Sequence, residues 1–283
     1  MRDLAARHEI RPSRSLGQNF LIDPNLARRI ASLASVEPTE RIVEVGAGLG
    51  SLTLALAGTG AQVTAIEFDR ALLPALQEVV GDLDNVKIIE ADATSLDWRA
   101  LLGSTRWILC ANLPYNVATP LLLDLLADAP QIRDYLVMVQ REVGERLVAG
   151  PGDAAVGAVS LKVAYRAQAK IERRVPPTVF WPAPKVGSVL VRLTPRDLPP
   201  RGTQDLLAEE LFATIDGSFA QRRKTMRNAV RRLAPIDASE ANALLERANV
   251  RPQARPEELD LDAFARITRE LRGGASRGGG GRA

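Results

Sequence analysis

With 283 residues, 46% of them hydrophobic and 25% charged, the chain can build one large domain with an appendage, or two domains. Cys110 is the only cysteine and His8 the only histidine, which excludes an internal disulfide, a His/Cys zinc site and Ser-His-Asp chemistry. Net charge is only +3, yet 32 of the 37 basic residues are arginine, whose planar fork suits phosphates and base edges.

The N-terminal stretch "MRDLAARHEIRPSRSLGQNF" has no apolar core and no small-residue cleavage site. No apolar run approaches the roughly 20 residues that span a bilayer. A cytoplasmic protein with no membrane contact is therefore expected. Residues 1–19 read as a basic arm carrying Arg2, Arg7, Arg11 and Arg14. In "DPNLARRIASLASV", Asp23 can cap a helix with Pro24 at its first position, and Leu26, Ile30 and Leu33 share one face. "RIVEVGAGLG" is a strand running into glycines, and "SLTLALAGTG" is a helix closed by Gly58 or Gly60.

"QVTAIEFD", "VKIIEADAT" and "RWILCAN" are further strands, with helices in "RALLPALQEVVG" and "ATPLLLDLLADA". "DYLVMVQREVGERLVAG" holds a fifth strand leading into helix. This alternation predicts a parallel sheet covered on both faces. After Gly157 a helix and two strands suggest an antiparallel finish, closing a domain over 20–195. "RDLPPRGTQ" then reads as a linker, 196–204, and residues 205–272 show only helical periodicity, an all-α domain. The Gly/Arg tail 273–283 is expected to be disordered.

In "VEVGAGLG", Gly46, Gly48 and Gly50 sit at a strand-to-helix turn, where glycine lets the backbone approach a ligand. The spacing is G-x-G-x-G, not the dinucleotide fingerprint. Glu67 ends the second strand and can accept both hydroxyls of a ribose; Asp92 follows the third and can reach the exocyclic amine of an adenine. No P-loop lysine is present, so the nucleoside need not carry phosphates. S-adenosylmethionine is such a ligand, and no metal is called for.

"ILCANLPYNVATP" ends a buried strand in an amide, a proline and an aromatic ring. The amino group of adenine is a weak nucleophile because its lone pair is conjugated with the ring. Two acceptors aimed at its hydrogens would free that lone pair: the Asn112 side-chain oxygen and a backbone carbonyl. Pro114 fixes the turn and holds Leu113 extended. Tyr115 offers a face for an extruded base. No general base is needed, because catalysis here is positioning. A second aromatic is expected from "VFWPAPKVGSV", where Phe180 precedes a proline-stiffened loop.

"SLGQNFLID", "VEVGAGLGSLT", "NLPYN", "FWPAPKVGSV" and "SFAQRRKTMRNAV" together resemble the ribosomal RNA adenine N6-dimethyltransferases, specifically the bacterial small-subunit KsgA/RsmA family. The resemblance covers roughly residues 8–270. It implies a Rossmann-like methyltransferase sheet with a small C-terminal all-α domain. It also implies that Asn19 and Leu21 touch the methyl donor with Gly46, Gly48, Glu67, Asp92 and Asn112. The implied substrate is two adjacent adenosines in a hairpin near the 3′ end of 16S rRNA, within an immature 30S subunit, and a monomeric enzyme. Gly187 departs from the aspartate common in that family.

"QRRKTMRNAVRR" carries Arg222, Arg223, Lys224, Arg227, Arg231 and Arg232 with no intervening acid. Phe219, Met226, Val230 and Leu233 can face inward while the cations face RNA phosphates, and the arm 2–14 can clamp RNA as well. Three rivals stand beside this reading. One is an Erm-type enzyme acting on large-subunit 23S rRNA and conferring macrolide resistance. Another is a DNA adenine methyltransferase, and the third a non-catalytic ribosome assembly factor.

Overall fold

The structure is a computed structural model that describes residues 1–13, 16–34, 37–114, 117–221 and 224–278. Arg14, Tyr115, Arg222, Arg223 and the end of the Gly/Arg tail lie outside the described residues. In chain order the first elements are α1 (Arg2–Arg7), β1 (Phe20–Leu21), α2 (Pro24–Leu33), β2 (Arg41–Val45), α3 (Ser51–Ala57), β3 (Gln62–Glu67) and α4 (Leu73–Val80). Next come β4 (Val86–Glu90), α5 (Trp98–Leu102), β5 (Trp107–Asn112), α6 (Ala118–Asp128), β6 (Ile132–Gln140), α7 (Arg141–Val148) and α8 (Ala158–Arg166). β7 (Ala167–Val175), β8 (Phe180–Trp181), β9 (Ser188–Pro195), α9 (Ala208–Phe219), α10 (Met226–Leu233), α11 (Ala238–Arg247) and α12 (Leu261–Gly278) follow. No helix among the described residues is long and apolar enough to cross a membrane.

The chain divides into two compact units, and the first comprises 1–145 and 167–195. Its sheet has the order β4-β3-β2-β5-β6-β9-β7. β4 through β6 run parallel, whereas β9 pairs antiparallel with both β6 and β7. Ile42, Val43, Leu109, Cys110 and Val137 are wholly buried. Both faces of these strands are covered, which is why their sequences read as unbroken apolar runs rather than alternating ones. α2 is held at its start as its sequence predicts: Asp23 Oδ1 accepts from the N–H groups of Asn25 (2.8 Å) and Leu26 (3.2 Å). The chain leaves β2 toward β3 on one side and returns as β5 on the other, so a crevice opens at the carboxyl ends of β2 and β5.

Residues 1–19 are not a separate arm. α1 buries Leu4 and Ala5 against Phe20, Leu49, Leu72 and Ala75. Arg7 and His8 both pair with Glu78 on α4, His8 Nε2 at 2.6 Å. Arg7 is therefore already neutralised by a carboxylate.

The second unit comprises 146–166 and the chain from Arg196 onward. The break after Pro195 falls where it was expected, but 146–166, expected within the first domain, belongs to this unit instead. α8 belongs here because Leu161 and Tyr165 are buried with Leu211, Ile215, Met226 and Phe264 in the helical core. The expected linker is also tied down: Thr203 is fully buried and donates its hydroxyl to the Pro200 carbonyl (2.7 Å), and Arg269 donates to the Gly202 carbonyl (2.6 Å). Beyond Gly273, where disorder was expected, α12 continues to Gly278. An anchored helix adds a hydrogen bond for each residue it fixes, without a new nucleation cost.

Candidate active site

At the crevice the chain leaves β2 through three left-handed glycines, Gly46 (φ +75°), Gly48 (+58°) and Gly50 (+81°). A side chain there costs about 1–2 kcal/mol. At Gly48 a Cβ would also stand 3.1 Å from the Phe20 ring, which would have to give by a few tenths of an ångström. The Gly48 N–H donates to Glu67 Oε2 (2.7 Å), and the Asp69 N–H to Oε1 (2.8 Å). Glu67 is buried, and burial raises its pKa despite these two bonds. Its carboxylate thus fixes the glycine turn to the end of β3.

These residues line a cleft of about 230 Å³. Asp92 reaches it from the end of β4, with Oδ1 accepting from the Thr94 N–H (2.8 Å) and hydroxyl (2.7 Å). Asn112 reaches it from the end of β5, and its Nδ2 donates to the Asn19 carbonyl (3.1 Å). That orientation commits the amide nitrogen to the main chain and leaves Oδ1 as the acceptor. Leu113 lines the cleft as well, buried, with its N–H on the Met138 carbonyl (3.1 Å). Pro114 borders it too; its carbonyl accepts from Val117 (3.3 Å) and Ala118 (3.2 Å), opening α6. The segment holding Asn19 and Leu21 forms the remaining wall, where Gln18 donates to Asp69 Oδ2 (2.6 Å). One cleft therefore gathers Asn19, Leu21, Gly46, Gly48, Glu67, Asp92, Asn112, Leu113 and Pro114.

Phe180 is a correction. Its side chain is 1% exposed and lies in the core with Leu21, Ile42, Cys110 and Leu190. β8 pairs with β1, Phe180 opposite Leu21 and Trp181 opposite Phe20. Strand alternation sends Phe180 inward and leaves Trp181 half-buried beside the Phe20 ring, centroids 6.1 Å apart. In this conformation Phe180 offers no face to a base.

Two cleft residues escape sequence reasoning. Phe68 lines the cleft immediately after Glu67 and is 58% exposed, so its ring can meet a planar base. Its signal was an aromatic next to the acidic end of a strand. Glu44 lines the cleft from β2, fully buried, and its Oε2 has no hydrogen-bond partner among the described residues. Burial, reinforced by the charge of Glu67, pushes its pKa up to about 8. Among the described residues no group of three or more His, Cys, Asp or Glu could hold a metal ion.

In the second unit, α10 buries Met226, Ala229 and Val230, while Phe219 packs half-buried against the same core. Lys224, Arg231 and Arg232 are exposed and Arg227 is half-buried. Arg232 donates to the Gly217 carbonyl (2.7 Å). Of the cations expected to face RNA phosphates, Lys224, Arg227, Arg231 and Arg232 thus lie among the described residues.

A family model described as "Ribosomal RNA adenine dimethylase" matches residues 9–272. A protein of Kineococcus radiotolerans named "Ribosomal RNA small subunit methyltransferase A" is 46% identical, over 99% of this chain and 92% of its own length. A Streptomyces coelicolor protein of the same name is also 46% identical, over 94% of this chain and 93% of its own. Among solved structures, a dimethyladenosine transferase from Plasmodium falciparum superposes with a TM-score of 0.74 at 22% identity, covering 90% of this chain and 98% of that one. The 23S rRNA methyltransferase ErmE superposes at 0.67 and 23% identity, covering 90% and 100%. At these identities both share the fold.

Proposed function

The chain belongs to the ribosomal RNA adenine dimethylase family, and from that premise we propose that it methylates the N6 amines of two adjacent adenosines in the 3′-terminal hairpin of 16S rRNA. The methyl groups come from S-adenosylmethionine, and the substrate is the immature 30S subunit. The protein works in the cytoplasm as a monomer.

S-adenosylmethionine supplies an electrophilic methyl on a sulfonium. The cleft fits its nucleoside: a backbone cradle at the left-handed Gly48, a carboxylate at Glu67 for the ribose, Asp92 for the adenine amine and Phe68 for the ring face. Asn112 serves the other reactant. Its Oδ1 accepts one N6 hydrogen of the target adenine, and the Leu113 carbonyl takes the other. The nitrogen is drawn toward a tetrahedral shape with its lone pair aimed at the methyl. Tyr115 stacks on the extruded base, a contact worth about 1–3 kcal/mol. The methylated ammonium is acidic and loses its proton to water, so the reaction needs no imidazole and is promoted by alignment. Lys224, Arg227 and Arg231 hold phosphates, which adds affinity and salt dependence but no base specificity.

The observation that carries this reading is the Asn112 amide, tied to Asn19 at the lip of the cleft that also holds Glu67 and Asp92. The test is to incubate the protein with labelled donor and small subunits lacking the modification, then map the label. Two neighbouring N6-dimethyladenosines near the 3′ end of the small-subunit RNA are expected. Label on large-subunit RNA would instead identify a resistance-type enzyme, and no label on either would identify an assembly factor without catalysis.

A further inference from the structure

β7 is an edge strand, and its last residues lie on the same edge of the sheet as the cleft. Register measures the distance. Asn112 pairs with Met138, Met138 with Leu190, and Leu190 with Arg173. Arg173 thus stands in the same cross-strand row as Asn112, three strands away, or about 14 Å at ~4.8 Å per strand. Arg174, opposite Val189, lies one residue nearer the carboxyl edge. Successive strand residues point to opposite faces, so the two arginines place charge on both sides of the edge. Both are exposed, and so are Lys185 and Val186 in the loop that leads into β9. The Arg141 N–H donates to the Gly187 carbonyl (3.0 Å), which sets the start of α7 against the same loop.

The acids at this corner are engaged. Glu172 is the extra residue at the irregularity of β7 and pairs with Lys170 (3.0 Å) and Arg192 (2.9 Å). Glu145 lies 3.9 Å from Arg141. Arg173, Arg174 and Lys185 form no ion pair among the described residues. Three uncompensated cations therefore stand on a rigid strand and a proline-stiffened loop, beside the cleft.

We propose that this corner carries the sugar–phosphate backbone of the RNA strand flanking the target adenosines. The proposal rests on the function proposed above. A span of about 14 Å corresponds to roughly four nucleotides of stacked strand at ~3.4 Å each, so the contacted phosphates lie about that far from the extruded base. Charge complementarity selects a polyanion, and the exposed Val186 adds a small apolar contact of the kind a sugar can cover.

The test is the triple variant R173Q/R174Q/K185Q, with K87Q/R106Q as a control that removes exposed charge near the amino ends of β4 and β5. Binding to the 3′-terminal hairpin RNA and to unmodified small subunits is measured across a salt series, alongside steady-state methylation. For the triple variant we expect KM for RNA to rise about tenfold, kcat at saturation to stay within about twofold, and donor affinity to be unchanged. The slope of log affinity against log salt should fall by about two, given ~0.7 per lost single-strand phosphate contact. The control should match wild type. If the triple variant keeps wild-type RNA affinity and slope but self-associates, the cations merely blunt the sheet edge and the proposal is wrong. Loss of binding to whole subunits but not to naked RNA would assign the corner to a ribosomal protein and also overturn it. If wild type itself fails to bind and methylate the RNA, the proposed function falls as well; if only the triple variant is indistinguishable from wild type, this inference falls alone.

Discussion

Gly48 combines two features that favour glycine, a φ of +58° and a Cβ position 3.1 Å from the Phe20 ring. Gly48→Ala should cost about 1–2 kcal/mol of stability and weaken donor binding, read by thermal melts with and without donor. Glu44 makes a different prediction. Its folded pKa of about 8 lies above the unfolded value of 4.5, so between these the folded state binds more protons than the unfolded state. Stability contributed by the neutral acid is fully present below pH 4.5 and is lost as pH rises through 8. Glu44→Gln should therefore raise the melting temperature more at pH 8.5 than at pH 5; an equal gain at both would show that Glu44 is not held neutral. The sequence made Gly48 legible because glycine spacing is local. It concealed Glu44, because a carboxylate inside a β-branched strand becomes unusual only when the neighbouring strands have buried it.

At the level of single elements, strands and helices whose signals are local were easy to read. α2 announces itself through Asp23, Pro24 and an apolar face, and the structure keeps all three. Asp23→Ala removes an acceptor for two main-chain N–H groups and should cost about 1 kcal/mol, measured by denaturant melts with an unchanged slope. The β1–β8 ribbon was illegible: two residues per strand carry no periodicity, and their pairing joins positions far apart in the chain. The same long-range pairing buries Phe180, which the loop sequence alone presented as a free ring. α10 sits between these cases. Its inward Met226 and Val230 follow from helical spacing, while contact with RNA depends on a partner the sequence does not contain. Arg227→Gln with Arg231→Gln should lower RNA affinity and reduce the salt slope by up to about 1.4, leaving donor affinity intact.

For the whole molecule, alternating strands and helices were enough to foresee a parallel sheet and a helical second unit. They did not show that 146–166 would leave the sheet unit, because Leu161 and Tyr165 look equally apolar in either core. The residues that line the cleft were legible from ordered motifs, yet only folding brings the Asn19 carbonyl within 3.1 Å of the Asn112 amide. That contact bears on the main proposition, that alignment of an extruded adenine, not proton transfer by the protein, drives methylation. Single-turnover transfer and donor affinity measured side by side for Asn112→Ala address it most directly. The account predicts a transfer rate lower by about 10²–10³-fold with donor affinity changed only a few-fold; a variant that still dimethylates small-subunit RNA at near wild-type rate would contradict it.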